Sequence, residues 1–155
     1  MLKQEVFAEV VNNTPLVSID LIVKDHAGNV LLGRRRNAPA QGCWFVPGGR
    51  IRKNETLAQA FARLCREELG TTAAITAASF IGCFEHFYPD NFAGIEGITT
   101  HYVVLAYALS ADMLPADLPE RQHDDYRWFD PGTASNDPQV HIYTRNYLSD
   151  SGNSH

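Results

Sequence analysis

No stretch of the chain stays apolar for the roughly 20 residues that a membrane-spanning helix needs, which excludes a helical membrane protein. The opening residues, Met1-Leu2-Lys3-Gln4-Glu5, lack the apolar centre of a secretory signal, and the cytoplasm is the expected compartment. Cysteine is scarce. Cys43, Cys65 and Cys83 are odd in number and widely spaced, which gives neither a disulfide framework nor a zinc-ligand pattern, so they read as buried free thiols. An excess of positive charge is also missing, and the net charge of −5 argues against a general nucleic-acid binder. No internal repeat or low-complexity tract is present. What remains, 155 residues with 45% apolar and 20% charged side chains, is the make-up of one globular domain with a proper core.

The apolar pattern predicts the elements. Residues 16–23 are rich in β-branched and apolar side chains and read as a strand, followed by a turn at 25–29 and a second strand at 30–32, together a hairpin. A short apolar run at 44–46 is stopped by Pro47-Gly48-Gly49. The clearest helix follows. Asn54 is its expected cap and Glu55 lies in its first turn; Leu57, Phe61, Leu64 and Glu68 recur at helical spacing, and Gly70 ends it. Residues 75–88 and 100–109 read as long strands, 91–97 as a polar loop, 115–125 as irregular, 126–129 as a short strand and 140–148 as a terminal helix. The expected architecture is a mixed α/β layer fold in a single domain, 1–148, with 149–155 as a disordered tail.

The charged residues are uneven. Arg34, Arg35 and Arg36 form one basic cluster, and Arg50, Arg52 and Lys53 another; each suits a small polyanion, or equally a solvated loop. Glu68 lies one turn beyond Leu64 on nearly the same face, so it falls at the edge of the core, where a carboxylate needs a cation, a metal or a strong donor. Glu67 forms an i, i+4 pair with Arg63, whose plain reading is a surface salt bridge. Adjacent carboxylates near glycine carbonyls suit Mg²⁺ or Mn²⁺, which prefer oxygen ligands.

The run Gly49, Glu55, Arg63, Glu67-Glu68-Leu69-Gly70 has the spacing of the Nudix box, G-x5-E-x7-R-E-U-x-E-E-x-G-U. The chain thus resembles the Nudix hydrolases, which implies an α/β/α sandwich with a mixed sheet and a loop-helix-loop metal site. Two positions depart from the box: Leu64 stands where a glutamate is usual, and Thr71 where the closing apolar residue is. Outside the box, Thr14-Pro15-Leu16-Val17-Ser18, Pro39-Ala40-Gln41-Gly42, Trp44-Phe45-Val46-Pro47, His86-Phe87-Tyr88, Asp90-Asn91-Phe92, Thr99-Thr100-His101-Tyr102 and Gln122-His123-Asp124-Asp125-Tyr126 are similar to the mannosyl hydrolases of that family, which act on GDP-mannose and share the leucine.

That resemblance implies water attack at the anomeric carbon with inversion, releasing GDP and a free sugar. GDP-glucose is a second substrate to be considered. It implies one Mg²⁺ (or Mn²⁺) per subunit on the Gly48 carbonyl, Glu68 and Gln122. The general base would be His123, oriented by Asp124 or Asp125. Arg35 and Tyr102 would stabilise the leaving diphosphate. Asp20 and His86 would contact the sugar or phosphates, and Phe7 would stack on guanine beside the Leu2-Lys3 backbone. Arg50 and Arg63 would orient the metal-site carboxylates. A homodimer is implied, with no nucleic-acid or membrane partner. Two rivals stand beside this reading. One is a conventional Nudix pyrophosphatase cutting at phosphorus, which Leu64 and Gln122-His123 oppose. The other is a nucleotide-sugar-binding module without turnover, which the retained Glu55, Glu67 and Glu68 oppose.

Overall fold

A computed structural model describes residues 2–115 and 123–151. Helix α1 (Gln4–Asn13) leads into β1 (Leu16–Lys24), which turns into β2 (Val30–Arg35). Short strands β3 (Trp44–Phe45) and β4 (Gly48–Arg50) precede α2 (Leu57–Leu64). Then come the long strands β5 (Ser79–Tyr88) and β6 (Thr100–Ser110), strand β7 (His123–Phe129), α3 (Pro131–Ala134) and α4 (Ile142–Ser151). The sheet runs β3-β2-β1-β6-β5, with β4 on β1 and β7 on β2. It is mixed: β1 lies parallel to β6 over its full length and antiparallel to β2 and β4.

The alternation of β1 separates the two layers. Ile19, Leu21 and Val23 pack with Phe61, Leu64 and Leu69 under α2. Ile22, from the other parity, joins Leu32, Val46, Ala106, Tyr147 and Leu148 under α4. Asp20 shares that parity and so faces the α4 side. The result is the expected α/β/α sandwich.

Several expectations are corrected. The cap of α2 is Thr56, which forms a reciprocal capping box with Gln59. Asn54 instead adopts a left-handed backbone (φ 70°) in the preceding turn, a conformation asparagine tolerates. Glu55 therefore lies before the helix. Leu57, expected in the core, is 45% exposed, because it begins the helix outside the Ala60-Phe61-Leu64 stripe that meets the sheet. After Leu64 the coil widens to a π-turn (Cys65–Leu69), which Gly70 closes at φ 68°. Residues 75–77 form a 3₁₀ turn rather than strand. Strand β7 starts at His123, because β2 carries its pairing on past Gly33 to Arg35. Helix α3, capped by Asp130 with Pro131 in its first turn, was not anticipated. Helix α4 continues to Ser151, past its expected end at 148.

Candidate active site

Strand β4 is pressed between two neighbours, and this explains both of its glycines. A Cβ on Gly48 would stand 2.3 Å from the Ile19 carbonyl oxygen and 2.9 Å from Asp20 Oδ1. A Cβ on Gly49 would stand 2.6 Å from Leu64 Cδ2. The register Asp20↔Gly48 fixes the first approach, and the packing of α2 fixes the second. Leu64 thus packs the helix against the glycine strand.

On the helix side, Arg63 organises the loop. Its Nε and Nη2 donate to both oxygens of Glu55 at 2.7 and 2.9 Å, Nη1 donates to Glu67 at 3.1 Å, and Nη2 also reaches the Arg50 carbonyl oxygen at 2.9 Å. Glu55 accepts in addition from the Arg52 N–H. The Arg63 guanidinium holds the Glu55 carboxyl down to about 2. The Arg63–Glu67 pair is half-buried rather than a surface bridge. Arg50 does not orient carboxylates with its side chain: the guanidinium lies 4.5 Å over the Phe7 ring, and its contribution to the loop is the backbone carbonyl.

Glu68 is 2% exposed, and the Tyr126 hydroxyl donates to its backbone carbonyl, pinning the end of the widened turn to β7. It lies one turn beyond Leu64, which touches Gly49. A buried carboxylate offers hard oxygen donors, and these fit Mg²⁺ or Mn²⁺. Among the described residues no group of three or more His, Cys, Asp or Glu side chains converges on one point, and Arg63 already holds Glu55 and Glu67. Gln122 lies outside the described residues, and for His123, Asp124 and Asp125 only the backbone is described; it places His123 opposite Arg35 across β2 and β7.

The cleft beside β4 has two compartments. The smaller, about 80 Å³, is lined by Asp20, Arg35, Phe45, His86, Tyr88 and Tyr102 among others. The larger, about 470 Å³, is lined by Phe7, Asn37, Pro39, Phe92, Thr100 and others. Arg35, Gly48, Gly49, Arg50 and Tyr102 border both. Arg35 lies 4.9 Å over the Phe45 ring and makes no ion pair among the described residues. Burial pushes the Tyr102 phenol up, so it stays protonated and able to donate. Burial raises the Asp20 carboxyl to about 6, even though the Tyr147 hydroxyl donates to Oδ2 at 2.7 Å and Arg35 is close. His86 is held down to about 4 by burial and by the nearby His141; it stacks face to face on Tyr143 at 4.1 Å, a neutral imidazole.

Of the expected substrate contacts, Asp20, Arg35, His86, Tyr102 and Phe7 are brought together. Phe7 lines the larger compartment, but Arg50 already covers its ring and Phe92 packs on it at 4.8 Å. Leu2 and Lys3 do not line either compartment; Leu2 is exposed, and the Lys3 carbonyl oxygen accepts from the Phe7 N–H. The sequence reading missed Tyr143 and Tyr147, whose i, i+4 spacing on the terminal helix was the available signal.

The chain matches the model of the NUDIX domain over residues 14–150. It is 43% identical, over 90% of its length and 83% of the relative's, to a low-salt glycan biosynthesis protein, Agl8, of Haloferax volcanii. Its fold is similar to that of a MutT protein from Methanosarcina mazei, with a TM-score of 0.70, 20% identity and coverage of 92% and 99% of the two chains. A MutT NUDIX hydrolase from Burkholderia pseudomallei gives a TM-score of 0.66, 27% identity and coverage of 88% and 98%.

Proposed function

The chain belongs to the Nudix hydrolase family, and on that premise we propose that it hydrolyses GDP-mannose to GDP and mannose by breaking the sugar's C–O bond. GDP-glucose is its second candidate substrate. The observation that supports this reading is the register of β2 on β7, which pairs the His123 backbone with Arg35, a residue that borders both compartments. A base on that strand would come from outside the carboxylate box. The similarity to a protein named for glycan biosynthesis supports a nucleotide-sugar substrate.

The nucleoside would occupy the larger compartment against Phe7 and Phe92, and the sugar the smaller one beside Asp20 and His86. The diphosphate would cross between them at Arg35 and Tyr102. His123 accepts a proton from water as the oxygen attacks the anomeric carbon from the face opposite GDP. The C–O bond breaks, its electron pair goes to the β-phosphate oxygen, and the anomeric centre inverts. Arg35 and Tyr102 stabilise the charge gathering on the diphosphate, which needs no proton to leave. When bound through Glu68, the Gly48 carbonyl and Gln122, Mg²⁺ or Mn²⁺ adds a further positive charge beside that diphosphate. The enzyme would act in the cytoplasm as a homodimer.

The retained Glu55, Glu67 and Glu68 favour the rival reading, cleavage at phosphorus. Arg63's hold on two of these three, and Leu64 in place of a fourth, weigh against it. Reaction in water labelled with heavy oxygen separates the two. Label in mannose, first seen as the β-anomer from an α-linked substrate, supports attack at carbon. Label in a phosphate, with GMP and mannose phosphate as products, overturns it.

A further inference from the structure

Helix α4 touches the cleft wall at three points. Tyr143 stacks on His86, Thr144 Oγ1 accepts from the Val46 N–H, and Tyr147 donates to Asp20 Oδ2. The third contact differs from the others because it governs a charge. The Tyr147 ring is buried and packs edge-on against Phe84 at 4.9 Å, so packing, not the hydrogen bond, fixes where its hydroxyl stands. Asp20 has the Gly48 backbone against Oδ1 and Arg35 within reach of its charge, lining the same 80 Å³ compartment. A carboxylate and a guanidinium so placed attract and, unopposed, close into a bidentate pair. No ion pair joins them. The neutral hydroxyl satisfies the carboxylate from α4, and the guanidinium lies over Phe45.

We propose that Tyr147 is a positioning residue whose hydroxyl keeps the Asp20 carboxylate out of an ion pair with Arg35, so that Arg35 stays open to the diphosphate of a nucleotide sugar. This rests on the reading of the cleft given above. It makes the terminal helix part of the binding machinery rather than a cover for the core.

The test is GDP affinity, measured by calorimetry on the full chain in Mg²⁺ buffer. Tyr147→Phe keeps the ring and removes only the donor. It should weaken GDP roughly three- to tenfold, the scale of one lost hydrogen bond. In an Asp20→Asn background the same change should have no effect, since no charge is left to close on Arg35. Asp20→Glu, whose longer side chain reaches Arg35 with Tyr147 intact, should weaken GDP as Tyr147→Phe does, and it serves if the phenylalanine variant fails to fold. Equal loss in both backgrounds, or no loss in either, overturns the proposal. A wild-type chain that binds GDP but cuts its sugar nucleotide at phosphorus overturns the mannosyl reading and leaves this one standing. A wild-type chain with no affinity for GDP overturns both.

Discussion

Arg63 and Arg35 lie at two charged regions of one small domain, and the two regions use a guanidinium in opposite ways. In the box, Arg63 closes on Glu55, Glu67 and a carbonyl oxygen, with side chain and partners half-buried. In the cleft, Arg35 faces a tyrosine, a carboxylate held elsewhere and an aromatic ring, and no described anion pairs with it. A saturated ion network fixes geometry; an open cation in a half-closed site keeps its field for a ligand. On the proposed reading the box side would be chiefly scaffold around one metal-binding carboxylate, and the cleft side would carry the chemistry.

The largest effect should come from the proposed general base. His123→Gln should lower kcat by roughly two to four decades, the range for a lost general base, while substrate affinity changes little. The wild-type rate should rise with pH through the histidine range, and a variant that keeps both rate and rising limb would move the base elsewhere.

Arg35→Gln should lower kcat by roughly a hundred- to a thousandfold, as for a lost charge-stabilising donor, with the thermal midpoint unchanged. Arg63→Met should show the reverse balance. It leaves Glu55 and Glu67 half-buried without their partner, a loss of about 3–5 kcal/mol of stability if the site behaves as a buried pair, read by urea unfolding. If Arg63→Met costs activity but no stability, or Arg35→Gln the opposite, the contrast between the regions fails.

The smallest effect is acid sensitivity on the cleft side. His86 titrates at about 4 in the folded chain against an ordinary 6.5. The folded form resists the proton that the unfolded form accepts, so this residue's contribution is complete above pH 6.5, falls as pH drops, and is fully lost below about 4. Comparing the wild type with His86→Phe cancels other groups. The stability difference should move against the wild type by at most about tenfold in unfolding constant per pH unit within that window. A constant difference would mean that His86 is solvated.

The elements that sequence made legible are those with a local cause. Apolar spacing marked α2 and its buried Glu68, and Gly70 marked its end. The i, i+4 rule found Arg63 with Glu67. The cap was misjudged because Asn54 and Thr56 are both capping residues, and only the left-handed turn at Asn54 decides between them. Glu55 was assigned to the helix for the same reason, so its grip on Arg63 across the loop went unseen. Asp20 stood out as a carboxylate in an apolar strand, but its partner did not, because tertiary packing alone brings Tyr147 to it from 127 residues away.

That separation has a meaning in time as well as in space. A ribosome adds roughly 5–20 residues per second, so Asp20 emerges well before the helix that restrains it, by something on the order of ten seconds. On the proposal above, a chain in which Tyr143, Thr144 and Tyr147 have yet to dock would hold a carboxylate and an arginine free to close on each other, a self-blocked wall that admits no diphosphate. Docking of α4 would then act as the release step, and competence to bind would arrive with it.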